Sequence, residues 1–471
     1  MTRAGEGSIG ATSTEPGLAD RIDGRVIFPT DEAYDTVRTV WNGMIDRRPA
    51  LVVECTGSAD VVEALAHALR AQLPVSVRGG GHGVAGRAVC DDGMVIDLSS
   101  MRDVEVDADA RTVRVGPGAT GGDLDRATQA VGLATTSGTD STTGVIGLTL
   151  GGGMGFLARR FGMAVDNLLS ADVALADGTQ VHASETEHPD LFWALRGGGG
   201  SFGIVTGIEL RLHPVGPRVA VAQAFYPWPA ASDVLRAFRE FSANAPDEVG
   251  CYALAVNVPP VEPFPVESYG TTALAIVASH AGLVDEGASV LRPLCDVATP
   301  LLGGVQEMEY TVLQQTFDVA NPAGKRYFWK SAYLGGMPDE AIETFISLAD
   351  PLPGPYSAAY FETVGGAVGR VDPAATAFPH RRAPFNLGIG AGWEDPGSDS
   401  AAIAWARRFH AAIDPYSTGG MYVNYVGDDD LGRFEATFGA NVQRLRQVKE
   451  RYDPGQVFGR FDEPPNPAPR R

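Results

Sequence analysis

The residues most able to do chemistry sit in Arg78-Gly-Gly-Gly-His82-Gly83, a glycine run with one histidine inside it, closing a short apolar strand that starts at Pro74. An imidazole there can hold a cofactor. Backbone N–H groups freed of side chains suit wrapping a phosphate or pyrophosphate. Further glycine clusters occur at Gly144 to Gly155 and Gly197 to Gly203, each beside an apolar or Ser/Thr-rich strand. A single cluster reads as tight turns. Three clusters together with His82 read as contacts to one extended, phosphate-bearing ligand.

Several motifs imitate other chemistries. Gly116-Pro-Gly-Ala-Thr-Gly121 fits GxGxxG between a strand (Thr112 to Val115) and a helix (Asp123 to Ala130). A dinucleotide fold then needs a buried strand ending in an acid, whereas Thr135 to Thr143 is a polar loop, so an NAD site is not expected. Gly199-Gly-Ser-Phe-Gly203 fits the hydrolase elbow GxSxG but runs into a strand, which makes Ser201 a loop residue. None of the eight histidines has HExxH spacing and no CxxC pair exists, so no metal site is expected.

The elements that must position these residues come next. Residues 27 to 56 read as strand, helix (Asp31 to Asn42), strand. A helix capped by Ser58 runs to about Gln72, with Val61, Val62, Leu65 and Leu69 on its buried face. Strands follow at Val75 to Arg78, Met94 to Leu98 and Thr112 to Val115. Asp177-Gly178 marks a hairpin with a two-residue turn. After Pro214-Val-Gly-Pro217 the character shifts to long strands and amphipathic helices, such as the strand Val219 to Phe225 and a helix from Asp233 to Ala245 capped by Ser232. A second shift near Tyr416 precedes Met421-Tyr-Val-Asn-Tyr-Val and a helix from about Leu431 to Tyr452.

With 471 residues, two domains are expected. Hydrophobic content of 44%, charged content of 20% and mean hydropathy near zero describe a soluble globular protein, and no apolar run is long enough to span a bilayer. A net charge of −21 without a basic cluster argues against nucleic acid. The amino terminus reads as a flexible tail rather than a secretory signal, as does the Pro-rich end from Glu463, and cytoplasmic residence is expected. The four cysteines lie far apart, and free or buried thiols are expected.

In order along the chain, Arg78 to His82 with Val95-Ile-Asp-Leu-Ser99, Gly144-Val-Ile-Gly-Leu-Thr-Leu-Gly-Gly-Gly-Met-Gly155, Asp190 to Gly203, Tyr422-Val-Asn-Tyr425 and Tyr452-Asp-Pro-Gly-Gln-Val-Phe458 resemble the berberine-bridge-enzyme-like FAD-linked oxidases, from about residue 25 onward. The resemblance implies an α+β fold. A bipartite PCMH-type FAD-binding domain, as in vanillyl-alcohol oxidases, spans 20–215 and 416–471 with its core at about 45–215. A substrate domain of antiparallel sheet plus helices is inserted at 216–415.

The resemblance also implies that His82 is covalently joined to FAD, with Arg78, Gly79, Gly80, Gly81 and Gly83 around the pyrophosphate. Ser137, Gly138, Asp140, Ser141 and Thr142 of the polar loop, Gly144, Gly147, Gly152, Gly153 and Gly155 of the second cluster, and Ile204 and Val205 of the strand after the third are implied FAD contacts. So are Tyr422 and Asn424. Many members carry a second tether from a cysteine where this chain has Asp140, so a single histidyl bond of the bacterial kind is expected; Cys90 lies elsewhere in the pattern and reads as a buried structural thiol. Thr143 resembles the family's oxygen-gatekeeper residue by position, where oxidases usually carry a valine. Tyr425, facing the flavin from a strand that carries Tyr422-Val-Asn-Tyr425, is the implied catalytic base, which requires its pKa of about 10 to be lowered by neighbours. Tyr310, Tyr327, Trp329, Lys330, Glu362 and His380 are pocket candidates from the inserted domain. The implied activity is hydride removal from an alcohol, amine or sugar-like metabolite with oxygen as acceptor, by a monomer or homodimer. A dehydrogenase using another acceptor and a non-catalytic flavin-binding protein are the alternatives.

Overall fold

The computed structural model describes residues 17–459. The first sheet has strands β1 (Arg25–Ile27), β2 (Leu51–Glu54), β3 (Val75–Arg78) and β4 (Met94–Asp97) in the order β1-β2-β4-β3, with β2, β4 and β3 parallel. Parallel neighbours need a crossover, and the helix Ser58–Ala71 supplies it between β2 and β3. Its Val61, Ala64, Leu65 and Ala68 are buried against Val53, Ile96 and Leu98. Ser58 is the first helical residue and does not cap; the cap position is Gly57. Asp60 instead gathers the N–H groups of Thr56 and Asp23, each at 2.8 Å.

The helix expected over Asp31 to Asn42 is reduced to Tyr34–Val37. Tertiary contacts explain the loss: the Trp41 N–H donates to the Gly81 carbonyl at 3.1 Å, and the Asn42 amide donates to the carbonyls of Val84 and Tyr327. That backbone is spent on holding the His82 loop.

The second sheet comprises β5 (Val104–Asp107), β6 (Thr112–Val115), β8 (Leu168–Ala174), β9 (Gln180–Ser184) and β10 (Ile204–Arg211), in the antiparallel order β5-β6-β10-β8-β9. A two-stranded ladder pairs β7 (Leu133–Ala134) with β11 (His213–Pro214). The β8–β9 turn has three residues, not two: Leu175 and Thr179 close it, with Gly178 at φ +84°. The glycines of the GxGxxG imitation serve packing. A Cβ at Gly118 would strike the carbonyls of Leu98 and Ser99 where the chain leaves β4.

The third sheet has β12 (Arg218–Pro227), β13 (Val249–Asn257), β14 (Thr272–His280), β15 (Leu302–Glu309), β16 (Arg326–Leu334), β17 (Ala358–Thr363) and β18 (Phe385–Trp393), all antiparallel in the order β15-β12-β14-β13-β17-β18-β16. One face joins the helices Ala231–Asn244, Asp339–Ala349 and Asp399–Ile413 in the largest core, through Ala253, Ile276, Phe361, Leu387, Phe345 and Phe409. Ser232 lies within the first of these helices and donates to Glu343 rather than capping.

The chain then returns to the N-terminal half, whose sheets are thus flanked in sequence by both ends of the chain around the third sheet. The single helix expected from Leu431 is broken: Phe434–Phe438 is separated from Val442–Tyr452 by a turn whose Gly439 has φ +49°. Leu445, Val448 and Tyr452 of the last helix pack on Leu191 and Trp193 of Pro189–Leu195. Lys449 Nζ donates to the Ser201 carbonyl at 2.6 Å and pairs with the buried Asp453. The Pro-rich end from Glu463 lies outside the described residues.

Candidate active site

A cavity of about 1760 Å³ runs between the two glycine-bearing sheets and the open face of the third. One wall is side-chain-free backbone. A Cβ at Gly80 would lie 2.6 Å from the Gly144 nitrogen, and one at Gly79 would lie 2.5 Å from the Pro117 carbonyl, so the first two glycine clusters touch main chain to main chain. Gly79, Gly80, Gly81, His82 and Gly83 line the cavity, as do Gly138, Asp140, Thr143, Gly144 and Gly147, the third cluster at Gly198 to Ser201, and Ile204 and Val205.

The His82 ring stacks on Trp41 (centroids 4.4 Å apart), which stacks on Tyr327 (3.9 Å). His82 Nε2 is buried without a hydrogen-bond partner and lies 3.7 Å from Asp140 Oδ1. Asp140 Oδ2 is likewise buried and unpartnered. Burial pushes the His82 pKa below its ordinary value, against the opposing pull of the Asp140 carboxylate. A largely neutral imidazole retains its lone pair.

Several implied cofactor contacts face elsewhere. The Arg78 guanidinium turns into the first sheet, donating to both oxygens of Asp97 on the neighbouring strand (Nε–Oδ1 3.0 Å) and to the Val37 and Thr39 carbonyls. Ser137 is buried and accepts from Gln314. Ser141 is engaged by Asp318 through its N–H (2.8 Å) and hydroxyl (2.5 Å), and Thr142 folds onto Asp140. Gly152, Gly153 and Gly155 do not line the cavity; they admit Met163, Ala164 and the Gly138 carbonyl at close range. The side each of these residues presents depends on tertiary contacts.

Tyr422, Asn424 and Tyr425 line the cavity from a 3-10 turn, Val423–Tyr425, not from a strand. The edge strand β16 holds this segment: the Tyr422 N–H donates to Ser331 Oγ at 2.9 Å. Tyr422 Oη accepts from the Gly153 N–H (3.0 Å) and the Asn424 amide (2.9 Å), and that amide also donates to the Leu148 carbonyl. A side chain at Gly151 would collide with Asn424.

A base role for Tyr425 requires neighbours that lower its pKa, and the chain's own neighbours raise it. Burial raises its pKa well above 10, and the nearby Tyr360, Glu362 and Tyr422 add to the rise. Its hydroxyl instead accepts from Tyr360 Oη at 2.8 Å. Two residues along β17 from Tyr360, Glu362 lines the same wall, 5% exposed. Burial lifts its pKa to about 7, opposed by hydrogen bonds from Tyr252 Oη (2.6 Å) and the Asn386 amide (3.3 Å).

Trp329 also lines the cavity. The other pocket candidates do not: Tyr310 is buried, Tyr327 backs Trp41, Lys330 is clamped by Asp429 and Asp430, and His380 Nε2 donates to the Thr437 carbonyl at 2.8 Å. Cys90 is buried and lines the cavity; burial pushes its thiol pKa up. Sequence reasoning missed Trp41, Tyr252 and Tyr360. Only the alternation of Ala358, Tyr360 and Glu362 hinted that the last two share a face.

The donor set fits FAD. A single small ligand occupies roughly 300–1,000 Å³, and the cavity exceeds that while offering glycine backbone and an unpartnered imidazole nitrogen. Fold and site together define a bipartite FAD-binding oxidoreductase. A family model described as FAD binding domain matches residues 49–184, and one described as Berberine and berberine like matches 421–460. FAD-linked oxidoreductase OXR1 of Pyricularia oryzae is 30% identical over 463 residues, covering 92% of this chain and 87% of that protein. The chain belongs to the berberine-bridge-enzyme-like FAD-linked oxidoreductases. (R)-6-hydroxynicotine oxidase of Paenarthrobacter nicotinovorans is 38% identical over 214 residues, 45% of this chain and 46% of that enzyme. The structure of Physcomitrella patens BBE-like 1 shares the fold, with a TM-score of 0.84, 24% identity and coverage of 95% and 98%.

Proposed function

We propose that this protein is an oxidase that holds FAD through one covalent bond from His82, takes hydride from a carbon bearing an alcohol or amine, and passes the electrons to oxygen, giving hydrogen peroxide. The observation that carries the reading is the buried, unpartnered His82 Nε2 between a glycine cradle and Asp140. With Asp140 in place of a thiol, no second tether is available at that position.

Bound FAD supplies the hydride acceptor. The chain's residues supply the rest: the glycine clusters approach the cofactor by main chain, Trp41 fixes the plane of His82, and the Tyr422–Asn424 pair secures the C-terminal turn. Glu362, buried on the cavity wall with its pKa lifted to about 7, accepts the substrate proton. Tyr360 and Tyr425 position the substrate beside it. The working division assigns 20–215 and 416–471 to the FAD unit and 216–415 to the substrate unit.

The test is denaturing electrophoresis viewed by flavin fluorescence. The wild-type band fluoresces and the His82→Ala band does not; a dark wild-type band refutes the tether. Peroxide release on turnover distinguishes an oxidase from a dehydrogenase that reduces dyes alone.

A further inference from the structure

His82 closes the first glycine cluster, Asp140 sits in the loop before the second, and both line the cavity. His82 Nε2 and Asp140 Oδ2 are each buried without a hydrogen-bond partner, and Oδ1 of the same carboxylate lies 3.7 Å from Nε2. Buried polar atoms are ordinarily satisfied, so two orphans side by side call for a reason.

The loop that carries Asp140 is held from two directions. Gly121 and Gly122, opening the helix Gly121–Gln129, donate to the carbonyls of Thr143 (2.9 Å) and Ser141 (2.8 Å). From the other side Asp318, between β15 and β16, takes the N–H and hydroxyl of Ser141. Thr142 then donates its N–H (3.0 Å) and hydroxyl (2.6 Å) to Asp140 Oδ1, which fixes the carboxylate and leaves Oδ2 open. The imidazole is fixed in turn by its stack on Trp41. A nucleophile and a proton acceptor are thus set close enough for one small group to touch both, an arrangement in which orientation raises rate.

Other carboxylates are committed elsewhere. Asp318 has both oxygens on Ser141, Asp430 is held by Lys330, and Asp350 accepts from Thr272. Glu362 belongs to the β17 wall, where Tyr252 and Asn386 donate to it.

We propose that Asp140 is the base for cofactor attachment, taking a proton from the flavin's benzenoid methyl group as His82 Nε2 bonds to that carbon. This deepens the histidyl tether proposed above and rests on it. A thiol at this position could form a bond of its own; a carboxylate moves a proton instead. The electron-poor ring of oxidised flavin acidifies the methyl C–H. Asp140 takes that proton, the C–H electron pair passes into the ring system, Nε2 forms the C–N bond, and the imidazole sheds its remaining N–H proton. The methyl carbon is oxidised and the ring system reduced by two electrons, which oxygen accepts together with two protons as hydrogen peroxide.

The experiment follows attachment rather than turnover. Full-length protein made under riboflavin starvation is mixed with FAD and sampled over time. Acid precipitation keeps only covalent flavin in the pellet, and gel filtration of the native protein keeps all bound flavin. Asp140→Asn retains an oxygen for Thr142 and binds FAD as the wild type does, but attaches it about 100-fold more slowly, the low end of what a positioned base supplies. Asp140→Ala is equally slow, and added formate, which restores a carboxylate, accelerates it where chloride does not. Attachment by Asp140→Asn at the wild-type rate overturns the proposal. So does an Asp140→Ala protein that binds FAD and ignores formate, and so does loss of FAD binding in both variants, which makes Asp140 a holding residue. A colourless wild-type pellet defeats the tether itself, whereas a coloured one with no dependence on Asp140 defeats this inference alone.

Discussion

Replacing Glu362 by Gln should stabilise the protein, and more so at high pH. The carboxyl is buried in the wall formed by β13, β17 and β18, and its pKa stands at about 7 against an ordinary value of 4.5. Below pH 4.5 it is protonated folded and unfolded, so folding is unaffected. Between pH 4.5 and 7 the unfolded chain releases the proton while the folded chain keeps it, and stability falls as pH rises; above 7 the cost is constant. At about 1.4 kcal/mol per pH unit, the full effect is about 3 kcal/mol. Glutamine keeps a carbonyl for Tyr252 and carries no titrating proton. The gain of Glu362→Gln over wild type should thus be about 2–3 kcal/mol larger at pH 8 than at pH 5, or about 4–10 °C in Tm for a unit of this size. Asp125, also pushed up to about 7 by burial, is present in both proteins and cancels. Differential scanning calorimetry of both proteins at the two pH values measures the difference. An identical gain at pH 5 and pH 8 would refute the claim that Glu362 holds its proton against burial.

Three further outcomes are expected. Gly80→Ala forces a methyl to within 2.6 Å of the Gly144 nitrogen and parts the two glycine segments; the ratio of flavin absorbance to protein absorbance after purification should drop severalfold. Arg78→Met leaves the nearly inaccessible Asp97 carboxylate without its cation and should cost about 3–5 kcal/mol in urea unfolding, largely recovered by adding Asp97→Asn. Tyr360→Phe removes the hydroxyl that donates to Tyr425 and should lower kcat/KM about five- to tenfold while leaving flavin content unchanged, as expected for one neutral hydrogen bond.

Much of the scaffold is legible from local pattern. The helix Ser58–Ala71, strands β3, β4 and β6, the long strand β12 and the glycine clusters all follow from periodicity and turn chemistry, which act over a few residues. The errors have one origin. The Asp31 to Asn42 segment has helical spacing, but Trp41 and Asn42 are claimed by the His82 loop and by Tyr327, 285 residues away in the case of the Asn42–Tyr327 contact. Tyr422 to Tyr425 has the composition of a strand and forms a 3-10 turn because the edge of β16 and the Gly153 N–H capture it. Arg78 sits in an anion-binding sequence and spends its charge on Asp97, one strand away.

By itself the sequence determined the family, because its ordered glycine, histidine and tyrosine motifs carry their meaning in order and residue type. Only the tertiary structure decided which side chains meet. It turned Arg78 inward, and assembled Tyr252, Tyr360, Glu362 and Asn386 from three neighbouring strands around one buried carboxylate. Strand register sets which residues face the cavity, and a one-residue slip would bury that whole set on the other side. That register comes from pairings between distant segments.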